Sequence, residues 1–185
     1  CFYQNITHSG INLYLTLEIA EALLYLNEEK EATNLFDSVI SLLTKTYTGP
    51  EAINPKSLGG CEGDGHHGWL VAELIHFIRN SLLFEKENGV VILSGSRKEW
   101  FKDGDKILFN NGVTYFGNIS FEVNVKENII DIEFLDEINE NIKDIYIYLP
   151  FEIEEILSGN FKRKEENYLI FDRSKKIILK RRLPL

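Results

Sequence analysis

Apolar residues in the first half of the chain recur with helical spacing and predict three helices. Residues 11–26 are apolar on every face of a possible helix, with Ser9 and Gly10 placed to cap its start. Asn27 interrupts the run, and residues 32–43 then carry apolar side chains every three or four positions, which is typical of an amphipathic helix. We expect these two helices to form an antiparallel hairpin. A third helix is predicted from about Leu70 to the turn at residues 88–89.

Beyond Gly89 the apolar period becomes alternating, which predicts strands. The strands are expected at residues 90–93, 107–109, 119–125, 130–134, 145–149, 168–171 and 177–179, with turns at 111–112, 127–128 and 158–159. Short strands at such spacing usually build a β-sandwich. The sequence therefore predicts an α+β chain, with a helical segment at residues 1–88 and an antiparallel β-sandwich at residues 89–185.

The first predicted helix raises a packing problem. A helix that is apolar on all sides must be buried by several neighbours, and two companion helices cannot cover it while the sandwich keeps its own core. The chain also begins at Cys1, lacks methionine and carries no signal-peptide pattern. We therefore expect a fragment of a longer protein with more helical hairpins before Cys1. Without them, the first helix should self-associate or be partly exposed.

The charge and cysteine content narrow the classes of partner. A formal net charge of −9 argues against nucleic acid, because phosphate contacts need a concentrated basic surface. The basic residues at 175–182 are interleaved with apolar ones and are interpreted as a terminal strand with a solvated face. Two cysteines are too few for a disulfide framework, and no apolar run approaches the roughly 20 residues that span a bilayer. These features predict a cytoplasmic protein without a membrane partner.

Residues 46–67, a predicted loop between the second and third helices, and the adjoining residues 68–69 hold most of the chemically reactive side chains. Five glycines lie within ten residues at the end of this segment, which lets the backbone pass close to a ligand. The reactive side chains are Glu51, Glu62, Asp64, His66, His67 and Trp69. A pyranose offers hydroxyls to carboxylates and imidazoles and an apolar face to an aromatic ring. The segment therefore predicts a carbohydrate site.

The acids of this segment have two interpretations. Glycosidic cleavage needs two carboxyl groups, one to protonate the leaving oxygen and one to activate water or attack the anomeric carbon. Glu51, Glu62 and Asp64 are candidates for one of these groups, and Glu62 or Asp64 would act as a base. In the other interpretation they are turn acids that cap the following helix or bind substrate hydroxyls.

The histidines also have more than one interpretation. His66 and His67 contact sugar, orient a carboxylate, or form hydrogen bonds within the loop. His8, before the first helix, lines the same pocket or has a capping or packing role. The spacing of Cys61, Asp64 and His66 matches no familiar zinc site, so the sequence predicts no metal and no cofactor.

Other reactive residues are interpreted as structural. Glu21, Glu73 and His76 fall within the predicted helices and are expected at helix surfaces or ends, because a buried acid would need a partner or a function. Trp100 and Phe101 are expected to seal the sandwich rather than to bind sugar.

Four segments resemble the C-terminal end of six-hairpin glycosidases, the (α/α)6-barrel enzymes related to α-L-rhamnosidases and glucoamylase-like hydrolases. They read GCEGDGHHGWLVAEL at 60–74, VILSG at 91–95, EWF at 99–101 and TYFGNISF at 114–121. The resemblance implies that residues 1–88 are the last hairpins of such a barrel and that the residues from Glu62 to Trp69 lie at its mouth. Glu62 is the nearest match to the general base. The resemblance also implies a general acid upstream, so that the isolated chain would be inactive.

The leading hypothesis is therefore a C-terminal fragment of an inverting glycoside hydrolase, with a carbohydrate as its substrate. The alternative is a non-catalytic carbohydrate-binding or assembly module in which the sandwich recognises the ligand. A metal-dependent hydrolase is a third hypothesis.

Overall fold

The chain folds as an α+β protein, as predicted, with its helices in the N-terminal half and most strands toward the C-terminus. The computed structural model describes residues 1–6 and 9–182. Two compact units form, Cys1–Asn80 and Ser81–Leu185. The division comes earlier than the predicted boundary after residue 88, because the segment that follows the third helix is a strand of the second unit.

The first unit contains three helices: α1 (Leu13–Tyr25), α2 (Glu29–Leu42) and α3 (Gly68–Leu82). The start of α1 was predicted wrongly. Its cap is Asn12, whose side-chain Oδ1 accepts a hydrogen bond from the Leu15 backbone N–H at 2.9 Å, and not Ser9 or Gly10. At the other end Asn27 has a φ of 63°, and the Glu28 N–H bonds to the Leu23 carbonyl. This left-handed ending reverses the chain into α2.

A small antiparallel sheet, which the sequence did not predict, precedes α1 and continues between α2 and α3. Its strands are β1 (Phe2–Gln4), β2 (Gly10–Asn12), β3 (Ala52–Ile53) and β4 (Gly60–Glu62), in that order across the sheet. The predicted loop at residues 46–67 thus contains two strands. The strands are two or three residues long, too short for an alternating pattern to reveal them.

The helices bury only part of the apolar surface in this unit. The buried face of α1 carries Leu13, Leu17, Ala20 and Leu24. Phe36 of α2 stacks on Phe77 of α3, with ring centroids 4.6 Å apart. Other apolar side chains stay exposed, namely Ile19, Tyr25 and Leu26 on and after α1 and Ile75 and Ile78 on α3. Self-association through this surface stays a prediction.

The second unit contains the remaining described strands. They are β5 (Leu83–Lys86), β6 (Gly89–Ile92), β7 (Lys106–Thr114), β8 (Gly117–Lys126), β9 (Ile129–Phe134), β10 (Asp144–Tyr148), β11 (Ile153–Ser158), β12 (Phe161–Glu165), β13 (Tyr168–Phe171) and β14 (Lys176–Arg181). One sheet has the order β12-β13-β10-β6-β5 and the other β11-β14-β9-β8-β7. The third helix was predicted too long, since it ends at Leu82 and β5 replaces its last turns.

The two five-stranded sheets share one apolar core, which makes this unit a β-sandwich. Buried residues of β6, β10 and β13 in one sheet and of β8, β9 and β14 in the other belong to the same cluster. The sequence predicted an antiparallel sandwich. One pair departs from this prediction, because β6 and β10 are parallel. Phe101 is buried in this core and Trp100 packs against it, so both rings serve packing.

The predicted turns of the sandwich have mixed outcomes. Glu127, with a φ of 55°, lies in the turn that joins β8 to β9, as expected. Residues 111–112 are instead an irregularity within β7, where Asn111 has a φ of 54° and the register with β8 shifts. Gly159 turns the chain from β11 in one sheet to β12 in the other. No helix in the described residues is both long and apolar enough to cross a membrane.

Candidate functional site

Glu62 lies at the end of β4, where a chain of amide side chains fixes one of its oxygens. The Gln4 Nε2 donates to Glu62 Oε2 at 2.7 Å, and the Asn12 Nδ2 donates to Gln4 Oε1 at 2.9 Å. Gln4 and Asn12 are buried. Because Asn12 also caps α1, the first turn of that helix and the Glu62 carboxylate share one support.

Glu51 immediately precedes β3 and contacts His67, which immediately precedes α3. The Glu51 Oε2 and His67 Nε2 atoms are 3.5 Å apart, and both side chains are mostly buried. The backbone holds this pair from both sides: the Leu13 N–H donates to the Glu51 carbonyl, and the His67 N–H donates to the Gly49 carbonyl. The other ring nitrogen, His67 Nδ1, is buried and has no hydrogen-bond partner among the described residues.

Gly63 brings β4 close to Glu51. Its φ is 70°, and a Cβ added there would lie 3.0 Å from the Glu51 Cβ and 3.1 Å from the Glu51 N. A side chain is therefore disfavoured by the backbone conformation and by the space. This close approach sets the backbone next to Glu62 against the backbone that carries Glu51.

Two aromatic rings, those of Tyr14 and Trp69, lie next to His67. The Tyr14 ring centroid is 5.5 Å from that of His67 and 5.4 Å from that of Trp69, and the Trp69 plane is tilted 75° from the Tyr14 plane. Trp69 remains 66% exposed. We call Tyr14, Glu51, Glu62, His67 and Trp69 the Glu62 cluster.

Tyr14 belongs to this cluster electrostatically as well. Burial raises the pKa of Tyr14, and the charge of Glu51 raises it further, with smaller contributions from Glu18 and Glu62. A hydrogen bond with Asn12 opposes the shift. Tyr14 lies in the apolar run 11–26 and was therefore predicted only to pack in the first helix. A phenol one position after the start of a leucine-rich helix was the signal that could have found it.

The remaining predicted site residues lie elsewhere or outside the described part of the chain. The Asp64 Oδ1 accepts a hydrogen bond from the His66 N–H at 3.0 Å, which is the geometry of a turn acid, and both residues are exposed. The Cys61 Sγ points to the Ser9 carbonyl at 3.6 Å. Cys61, Asp64 and His66 do not bring their ligand atoms together as a metal site would require. His8 lies outside the described residues.

The Glu62 cluster is chemically suited to bind a polar ring molecule. It combines two carboxylates, an imidazole and a phenol with an exposed indole face, and all five side chains come from the first unit. No protein-family model matches the chain, and a comparison with curated proteins finds none that is similar.

Proposed function

We propose that this chain supplies the general-base side of the active site of a glycoside hydrolase that cleaves O-glycosidic bonds. The observation that carries the proposal is the convergence of Glu51, Glu62 and His67 with the Tyr14 and Trp69 rings at the start of α1. Segments 52 to 58 positions apart in sequence meet there. Such a convergence of polar groups around aromatic surface is typical of carbohydrate sites.

Glu62 is the candidate base because its orientation is fixed while it remains only half-buried. Gln4 donates to Oε2, and a carboxylate has a second oxygen that can accept a proton from water. In an inverting reaction this water attacks the anomeric carbon as a carboxylic acid on the opposite side protonates the leaving oxygen. That acid is expected from another part of the enzyme.

The other members of the cluster suit substrate binding. Trp69 is mostly exposed and lies at 75° to the Tyr14 ring, so its indole can stack on the C–H face of a sugar ring. The Glu51 carboxylate can accept hydrogen bonds from sugar hydroxyls, and the His67 Nε2 beside it can hold it in position.

Binding can be tested with the two tryptophans, since Trp69 lies in the first unit and Trp100 in the second. The full chain would be titrated with monosaccharides, including rhamnose and glucose, while tryptophan fluorescence is followed. We expect a saturable change that persists in Trp100→Phe and disappears in Trp69→Phe. A response that depends on Trp100, or none with any sugar of a broad panel, would contradict the site and favour the alternative of a sandwich-based binding module or no carbohydrate function.

Catalysis needs a separate test in an active glycoside hydrolase that contains this chain. Glu62→Gln keeps the side-chain shape but removes the base, so kcat should fall by about two to four orders of magnitude with KM little changed. Asp64→Asn is the matched control, because Asp64 is exposed and serves a turn. Equal rates for Glu62→Gln and the wild type would exclude Glu62 as the base and leave Glu51 as the candidate.

A further inference from the structure

A second group of ionisable side chains lies on α1 and α3, and the proposed glycosidase chemistry does not use it. Glu21 is on α1, and Glu73 and His76 are three positions apart on α3. One ligand atom from each lies within 4.8 Å of the other two. The Glu73 Oε2 and His76 Nδ1 atoms are 4.0 Å apart. Residues three apart on a helix share a face, so α3 presents its carboxylate and imidazole together toward Glu21.

The donor set is mixed, and it suits a transition metal. Zinc is bound by imidazole nitrogen and carboxylate oxygen at about 2.0–2.2 Å, so the ligand atoms of a tetrahedral ion lie about 3.3–3.6 Å apart. The three atoms here, within 4.8 Å of one another, would reach that spacing through side-chain rotations. A carboxylate and a histidine at i and i+3, facing a carboxylate of a neighbouring helix, is an arrangement that helical proteins use for metals. Exposed glutamates alone would lack the imidazole nitrogen and would not favour a transition metal over other cations.

Glu21 is the member whose surroundings call for a cation. Its Oε1 is buried and has no hydrogen-bond partner among the described residues. A buried carboxylate oxygen without a partner is costly, and a metal ion on that oxygen would remove the cost.

The residues around Glu21 hold it in place as supporting groups hold metal ligands. The Asn80 Nδ2 donates to Glu21 Oε2 at 3.2 Å, and the Arg79 guanidinium donates to Asn80 Oδ1 at 2.9 Å. One oxygen of Glu21 is therefore oriented by α3, and the other is the one without a partner. Outer groups of this kind fix the direction of a ligand and are common around metal sites.

We propose that Glu21, Glu73 and His76 bind one divalent transition-metal ion, best matched by Zn²⁺, and so clip α1 to α3. The fourth position is left to water, since three protein ligands leave a tetrahedral site open. This site departs from the sequence prediction, which interpreted all three residues as helix-surface groups and expected no metal. It does not depend on the glycosidase proposal.

Zn²⁺ binding to the full chain would be measured by isothermal titration calorimetry, with Co²⁺ absorption to report the ligands. All variants would carry Cys1→Ser, because the exposed Cys1 thiol is itself a metal ligand. We expect one Zn²⁺ per chain, with Mg²⁺ bound far more weakly because it prefers oxygen ligands. Glu21→Gln and His76→Ala should each weaken Zn²⁺ binding at least about tenfold.

The controls are chosen so that folding and nonspecific binding cannot imitate the result. His66→Ala removes an exposed histidine outside the site, and Glu31→Gln removes an exposed helical glutamate, so both should bind like the Cys1→Ser parent. Circular dichroism would check that each variant keeps its helices. Zn²⁺ affinities that are equal in His76→Ala and the parent, a Mg²⁺ affinity as high as that for Zn²⁺, or no stoichiometric binding would each overturn the site.

Discussion

The two units of the chain use their apolar residues differently. In the sandwich, phenylalanines and branched aliphatic residues of both sheets meet in one buried core. In the helical unit, α1 buries one stripe while Ile19, Leu26, Ile75 and Ile78 stay exposed. The helical unit also holds the Glu62 cluster and the proposed metal site of Glu21, Glu73 and His76. The sandwich is therefore stabilised mainly by its own packing, whereas the helical unit combines less complete packing with most of the reactive side chains.

The largest effect is expected from breaking the sandwich core at Phe121. Its side chain is fully buried between the rings of Phe109 and Phe134, at centroid distances of 5.6 and 6.1 Å. Phe121→Ala should lower the free energy of unfolding of this unit by about 3–5 kcal/mol, since it removes a large buried ring and leaves a cavity. Urea unfolding would be followed by Trp100 fluorescence in a Trp69→Phe background.

Tyr115→Ala is the control for that measurement, because Tyr115 is 93% exposed in the same unit. Its effect should stay within about 0.5 kcal/mol. Similar losses from Phe121→Ala and Tyr115→Ala would contradict the description of the sandwich as a unit stabilised by its core.

In the helical unit the most sensitive single position should be Asn12. Asn12→Ala removes the cap of α1 and the donor to Gln4, and should cost about 1–2 kcal/mol. The measurement is urea unfolding read by Trp69 in a Trp100→Phe background, together with hydrogen exchange over α1. Asn34→Ala, at an exposed position of α2, should leave both unchanged. If Asn34→Ala lowers the free energy of unfolding as much as Asn12→Ala does, the effect of Asn12→Ala cannot be assigned to its bonds with the first turn of α1 and with Gln4.

A pair of glycines tests the close approach near Glu51. Gly63→Ala should destabilise the helical unit by about 1–2 kcal/mol, because position 63 has a φ of 70° and lies against the Glu51 backbone. Gly65→Ala is the matched control, since no atom lies within 4 Å of a Cβ built there. Its effect should stay within about 0.5 kcal/mol. The measurement is again urea unfolding followed by Trp69 fluorescence in a Trp100→Phe background. Equal losses of stability in Gly63→Ala and Gly65→Ala would contradict the close approach of Gly63 to Glu51.

The smallest effect is expected from an ion-pair group on the sandwich surface. Burial alone would raise the pKa of Asp144, but the hydrogen bond and charge of Lys162 and the charge of Arg163 outweigh it and hold that pKa below its ordinary value. Stability from this group is therefore present above the ordinary carboxyl pKa and is lost as the pH falls through the lowered value. Asp144→Asn should cost about 0.5–1 kcal/mol at neutral pH.

The pH dependence separates this effect from a general surface effect. The stability difference between wild type and Asp144→Asn, read by Trp100, should shrink as the pH drops below about 4. Glu152→Gln breaks the Glu152–Arg182 pair, in which both side chains are mostly exposed, and should change little at any pH. A difference for Asp144→Asn that is constant with pH would show that its charge contributes nothing.

The fold was predictable wherever one segment carried its own pattern. The alternation of residues 119–125 revealed β8, and the stop at Asn27 revealed the end of α1. Strands β11 and β12 escaped because most of their side chains are exposed, so no buried alternation marks them. The segment of β5 was assigned to a helix because its apolar residues continue the spacing of α3. Only its pairing with β6, such as Leu83 opposite Ile92, makes it a strand.

The candidate site was predictable in its residue types but not in its connections. Glu62, Glu51, His67 and Trp69 drew attention by their concentration in one segment. Gln4 escaped because it lies 58 positions from Glu62, and Tyr14 escaped because it counted as helix packing. The proposed metal site escaped prediction because its residues are also far apart in sequence. Glu21 lies on α1, whereas Glu73 and His76 lie on α3.

The place of β14 has a consequence for synthesis of the protein. It is the last strand in the described residues, yet it lies inside its sheet, between β11 and β9. Until this segment leaves the ribosome, β9 and β11 each present an unpaired edge and the core lacks Ile177 and Leu179. The nascent sandwich can therefore complete its fold only after translation of residues 176–181, and shortening the chain into this segment should yield an aggregation-prone product.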